Sequence, residues 1–125
     1  MSFNDKKGKK AKFITILHMV MKSDAWTSLK PGPKALYAEL RFEYDGFNNG
    51  RLMLAHREAA ERLNVSKNTV GPWFKALEEH GLIRKTKEHC LGLDGDGQTS
   101  QWAFTDLKTA DGKPATLEFR SWKEK

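Results

Sequence analysis

Residues 66–81 read SKNTVGPWFKALEEHG, and the chain on either side is understood as support for the helix this stretch encodes. Ser66 is a good N-cap, because its hydroxyl can accept one of the orphan N–H groups of a first turn. Val70, Trp73, Phe74 and Leu77 recur at i, i+3, i+4 and i+7 and line one face with apolar bulk. Gly81 supplies a left-handed stop without a Cβ penalty. Lys67, Asn68, Gly71, Pro72, Lys75 and Glu79 remain outward, a set that is basic and polar at its N-terminal end. Pro72 falls inside the helix, where it removes the bond to the Asn68 carbonyl at a cost of about 3 kcal/mol in a regular interior. A bend or a tightened first turn is predicted there; the alternative is a helix that starts near Gly71.

Upstream, Arg57 to Leu63 reads as a shorter helix with Ala60 and Leu63 inward, and the small Ala60 lets two helices approach closely. Asn64 occupies the joint between them, where a left-handed residue is needed and asparagine is the usual substitute for glycine. Val65 plugs that joint from the core side. Arg51 to Leu54 reads as a short strand ahead of the pair. Downstream, Leu82 to Lys87 has strand character and carries Arg84, Lys85 and Lys87; Gly92 to Gly97 forms a polar tip, and Ser100 to Thr105 returns as a second strand. The hairpin reaches out to a ligand or merely covers a core edge; Trp102 and Phe104 are expected in the core.

Residues 1–12 lack apolar periodicity and read as a disordered basic tail, either a phosphate-contacting arm or a solubilising segment. Phe13, Ile16, Leu17 and Val20 fit a helical stripe better than the strand that the FITI run also allows. Ser23 caps a short turn that buries Trp26. Pro33 is placed as the first residue of a new helix, marked by Leu36, Tyr37, Leu40 and Tyr44 and ending at Gly46. Residues 45–50, DGFNNG, form a turn. Near the C-terminus, Thr116 to Trp122 alternates and reads as an added strand or a docking tail, with Leu117, Phe119 and Trp122 seeking partners. The division is thus a tail over 1–12, one domain over 13–105 and an extension over 106–125.

Composition narrows the function. The 125 residues carry a net charge of +6. Five lysines against Asp5 place +4 of it in residues 1–12, which leaves the folded part near neutral. An anionic partner would then have to be met by a local basic face rather than by bulk charge. The single cysteine, Cys90, excludes internal disulfides and fits a reducing compartment. No apolar run approaches a membrane span and no secretion signal is present, so a cytoplasmic location is expected. Catalysis is not expected: His18, His56, His80 and His89 are scattered, and no second cysteine joins Cys90 at metal-ligand spacing. Asp94 opens something like a calcium loop, but Thr105 stands at its twelfth position, where glutamate is needed. No cofactor or small-molecule ligand is implied.

The order strand, helix, turn, helix, hairpin resembles a winged helix-turn-helix domain, mainly α with a small β-sheet. More closely, Ser23-Asp-Ala-Trp26, Gly46-Phe-Asn-Asn-Gly50, Glu58-Ala-Ala-Glu-Arg-Leu-Asn-Val-Ser66 and Leu77-Glu-Glu-His-Gly-Leu-Ile83 resemble small bacterial, plasmid and phage helix-turn-helix proteins. That resemblance covers roughly residues 13–105 and implies sequence-specific binding of double-stranded DNA, as a transcriptional regulator or a replication-associated factor. Ala55 and His56 depart from it where a serine or threonine cap is usual, at about 1 kcal/mol. The recognition helix would be 66–80 and the wing 82–105.

The chemistry then divides by role. Lys67, Thr69, Arg84, Lys85, Lys87 and the tail lysines suit phosphates, which need no exact partner. Asn68 can pair bidentately with adenine, and Lys75 or Lys67 can reach guanine. Ser66 caps the helix, and Gly71 permits close approach. For each of these the competing reading is a solvated surface group. A homodimer on paired half-sites is plausible on geometry. The rival function is a protein-interaction module, with Trp73 or the C-terminal Phe119 and Trp122 as an exposed apolar patch.

Overall fold

The computed structural model describes residues 12–90 and 99–123. The tail before residue 12 and the hairpin tip, including the loop that opens at Asp94, lie outside the described residues. The chain is α+β. Two single-turn helices, α1 (His18–Met21) and α2 (Asp24–Thr27), lead into α3 (Pro31–Phe42), α4 (His56–Leu63) and α5 (Lys67–Glu79). An antiparallel hairpin, β1 (Ile83–Cys90) and β2 (Thr99–Phe104), follows, and a 3₁₀ turn, Glu118–Ser121, closes the chain. Among the described residues, no helix is long and apolar enough to cross a membrane.

The α4–α5 pair is built from two identical stops. Asn64 is left-handed (φ 58°), with its N–H donating to the Glu61 carbonyl at 3.3 Å and the Val65 N–H to Ala60 at 3.0 Å. Gly81 repeats this at the end of α5 (φ 78°), with Gly81 bonded to Glu78 at 3.0 Å and Leu82 to Leu77 at 3.1 Å. Both are the paired reverse bonds that satisfy a helix's last carbonyls. Val70, Phe74 and Leu77 of α5 are buried against Ala59 and Ala60 of α4 and Leu36, Tyr37 and Leu40 of α3.

Pro72 does not delay α5, which runs unbroken from Lys67. Its first turn is tightened, since the Thr69 N–H bonds the Ser66 carbonyl three residues back at 3.0 Å. Ser66 is the N-cap by position only. Its hydroxyl lies 2.9 Å from that of Thr69 and caps no backbone N–H, contrary to expectation.

Other expectations are corrected. Residues 12–17 form no helix, and only His18–Met21 coils; of the predicted stripe Val20 is buried and Ile16 packs on the core, whereas Phe13 and Leu17 stand exposed. Pro31, not Pro33, occupies the first position of α3, and the helix ends at Phe42 with Tyr44 outside it. The strand at Arg51 to Leu54 reduces to one bridge, Leu52 to Trp102, on the free side of β2. The C-terminal stretch forms no strand. Leu117 turns left-handed (φ 54°), and the 3₁₀ turn that follows seats Phe119 in the core. Ser23 behaves as read, accepting the Trp26 N–H at 3.2 Å over a buried Trp26.

A polar clasp locks α3 to the segment after β2. Arg41, 2% exposed, makes a bidentate pair with the buried Asp106 at 3.0 and 3.2 Å and lies 4.6 Å from the Phe104 ring centre. Asn49 accepts the Phe104 N–H at 2.7 Å and donates to the carbonyls of Phe104, Leu107 and Lys108. Tyr37 completes the cluster, its phenol raised far above the ordinary value first by burial and then by the Asp106 charge.

Candidate nucleic-acid interface

The outward face of α5 follows from its inward one. With Val70, Phe74 and Leu77 committed to the core, helical spacing turns Asn68 and Lys75 away from it and leaves Lys67 and Gly71 on the flank of the buried stripe; Lys67, Asn68 and Lys75 are exposed. The first turn of α5 carries a lysine, no acid and no side-chain cap. The N-terminus of a helix is already a partial positive charge, so a cation there is unfavourable for the helix itself and favourable for an anion set against it.

The hairpin brings a second cation alongside. Lys85 pairs with Trp102 across the two strands, and its Nζ lies 5.4 Å from the centre of the Trp102 ring. Trp102 stacks on Phe74 at 5.5 Å, and Phe74 stacks on His56 at 4.9 Å, each pair within 16° of parallel. A column of rings therefore runs from the hairpin through α5 to the first residue of α4. The His56 ring also lies beside Gly71, where a Cβ would come 3.7 Å from its Cε1. Burial, then the charges of Lys67 and Lys85, hold this imidazole below its ordinary pKa. Lys67, Lys85 and His56, from three separate elements, thus converge on one corner. The sequence marks His56 only as a missing cap and as one of four scattered histidines, and the i+4 spacing of Lys67 and Gly71 is the one sequence signal that bears on its surroundings.

Not every proposed residue joins this corner. Arg84 and Lys85 are successive strand residues and point to opposite faces. Arg84 turns toward Glu118, 3.8 Å away, beside a cleft whose other charged residues are Arg51, Lys85, Asp111 and Lys113. The β1 register slips between Lys85 and Lys87, where Thr86 bonds the Gly50 carbonyl and the regular alternation ends. Lys87 is exposed beyond this bulge. Ser66 and Thr69 are engaged with each other. The basic surface is consequently narrower than the sequence implied, centred on Lys67, Asn68, Lys75 and Lys85.

The apolar patch proposed for a protein partner is not where the sequence put it. Trp73 packs on the start of α3, where a Cβ on Gly32 would lie 2.3 Å from its ring, and Phe119 is buried. Trp122 stacks at 4.1 Å on His80, whose Nδ1 is 2.8 Å from the Ala25 carbonyl. Among the described residues, no group of three or more His, Cys, Asp or Glu is placed to hold a metal ion. Compared with protein-family models, with curated proteins and with solved structures, the chain matches none.

Proposed function

We propose that this chain is a winged helix-turn-helix protein that binds double-stranded DNA sequence-specifically, as a transcriptional regulator or replication-associated factor. In this reading α5 enters the major groove and the β1–β2 hairpin follows the adjacent backbone. The observation that supports it is the exposed surface of α5, where Lys67 and Asn68 open the helix and Lys75 follows two turns on. Asn68 offers the donor–acceptor pair that fits adenine, Lys75 reaches toward guanine, and Lys67 and Lys85 hold phosphates.

Two substitutions separate these roles. Asn68→Ala should cost about 1–3 kcal/mol of discrimination at one base pair. Lys85→Ala should weaken all duplexes alike and lower the salt slope by about one unit. Fluorescence anisotropy on the preferred and a scrambled duplex at several salt concentrations reads both. An Asn68→Ala protein with unchanged preference would remove the proposed base reader.

A second reading, a protein-interaction module, is favoured by a different surface. Phe13 (73% exposed) and Phe42 (67% exposed) flank a groove of about 890 Å³ that also takes in Ile14 and Tyr44. A partner seated there would leave the face of α5 uncovered.

A further inference from the structure

We infer that His56 is a phosphate-contacting residue of the duplex-binding surface and takes up a proton as the phosphate seats between Lys67 and Lys85. The inference rests on the duplex reading above and deepens it by adding a contact and a proton linkage.

The geometry comes first. His56 opens α4, and its ring is held on one face by Phe74, while its Nδ1–Cε1 edge lies beside Gly71 of α5. Lys67 is one helical turn before Gly71 on the same face, so it borders the ring from α5. Lys85 of β1 is held over the Trp102 ring that stacks on Phe74, and its charge reaches His56 from there. On its own helix the nearest acid, Glu58, is drawn 2.9 Å from Arg62. The charges that face His56 across the corner are therefore the cations Lys67 and Lys85.

Partial burial, and after it the charges of Lys67 and Lys85, lower the imidazole's affinity for a proton in the free chain. A phosphate placed among the three reverses that balance, because it offsets the lysine charges and offers an oxyanion to the protonated ring. The bound pKa then exceeds the free one. Between the two values binding takes up a proton, so affinity strengthens as pH falls, by up to tenfold for each unit of separation. A ring that served only to pack against Phe74 would show no such linkage.

The test combines two readouts on the full chain. The pKa of His56 is followed by NMR, with its signal identified by loss in His56→Gln, in the free protein and with saturating mixed-sequence duplex or sodium tripolyphosphate. Duplex affinity of the native chain and of His56→Gln is measured at constant salt from pH 8 to pH 5.5. The expected result is a His56 pKa raised by duplex, and native affinity that strengthens about tenfold over this range where His56→Gln changes less than about twofold. If duplex binds but neither the pKa nor the difference in pH profile follows, the inference is overturned while the duplex reading stands. If tripolyphosphate raises the pKa and duplex does not bind, the phosphate site stands and the duplex reading falls. No shift with either ligand overturns the inference.

Discussion

The clasp around Arg41, Asn49 and Asp106 and the face of α5 around Lys67, Asn68 and Lys75 are both polar, and they sit in opposite circumstances. In the clasp each carboxylate and amide is out of water and met by a partner at 2.7 to 3.2 Å. On α5 the side chains stand in solvent, Lys67 and Asn68 at the positive end of the helix and Lys75 two turns on. A buried polar group must be bonded because leaving it unpaired costs the full desolvation penalty. An exposed one carries no such obligation, so its position is set by something other than stability. The clasp holds α3 to the segment after β2, and the α5 face stands in solvent.

This contrast is broken most severely at Asp106. Asp106→Ala leaves the Arg41 guanidinium buried without its carboxylate, and should destabilise the chain by about 3–5 kcal/mol in a denaturant titration. Duplex affinity, measured where the variant is still folded, should be unchanged. Asn68→Ala should do the reverse. Gly81 gives a smaller effect just past the C-terminal end of α5, where its carbonyl accepts the Thr105 hydroxyl. An alanine there must adopt a left-handed φ of +78° and set its Cβ 3.0 Å from the backbone of Glu118 and Phe119. A loss of about 1–2 kcal/mol is expected from the backbone alone, read as a shift of the denaturant midpoint at unchanged slope. A loss no larger than this backbone contribution would mean that the 3₁₀ turn yields freely and is not a fixed wall of the core.

What could be read in the sequence was local. Asn64 and Gly81 were identified as left-handed stops, and Val70, Phe74 and Leu77 as an inward stripe, because each depends on residues a few positions apart. The clasp was missed because its partners are far apart in sequence. Arg41 and Asp106 are separated by 65 positions, and Asn49, inside a turn-like run, gives no local sign that it will clamp Phe104 55 residues on. Trp73 was assigned to the inward stripe, yet nothing in the sequence showed that Gly32 would be the flat seat for it. The FITI run failed for the opposite reason. Its pattern suits a helix, but of the stripe only Ile16 and Val20 meet the core, while Phe13 and Leu17 stand exposed. The candidate site was half legible. Lys67, Asn68 and Lys75 follow from the stripe, whereas the approach of Lys85 and His56 depends on how the hairpin packs on α5.

The central claim is that the exposed face of α5 reads duplex sequence. The most direct measurement is selection of random-sequence duplexes by the purified chain near physiological salt, with the retained pool sequenced for native protein and Asn68→Ala. An enriched motif in the native pool that is altered or lost at one position in the Asn68→Ala pool is the predicted result. Retention with no motif, or no retention at all, would contradict it.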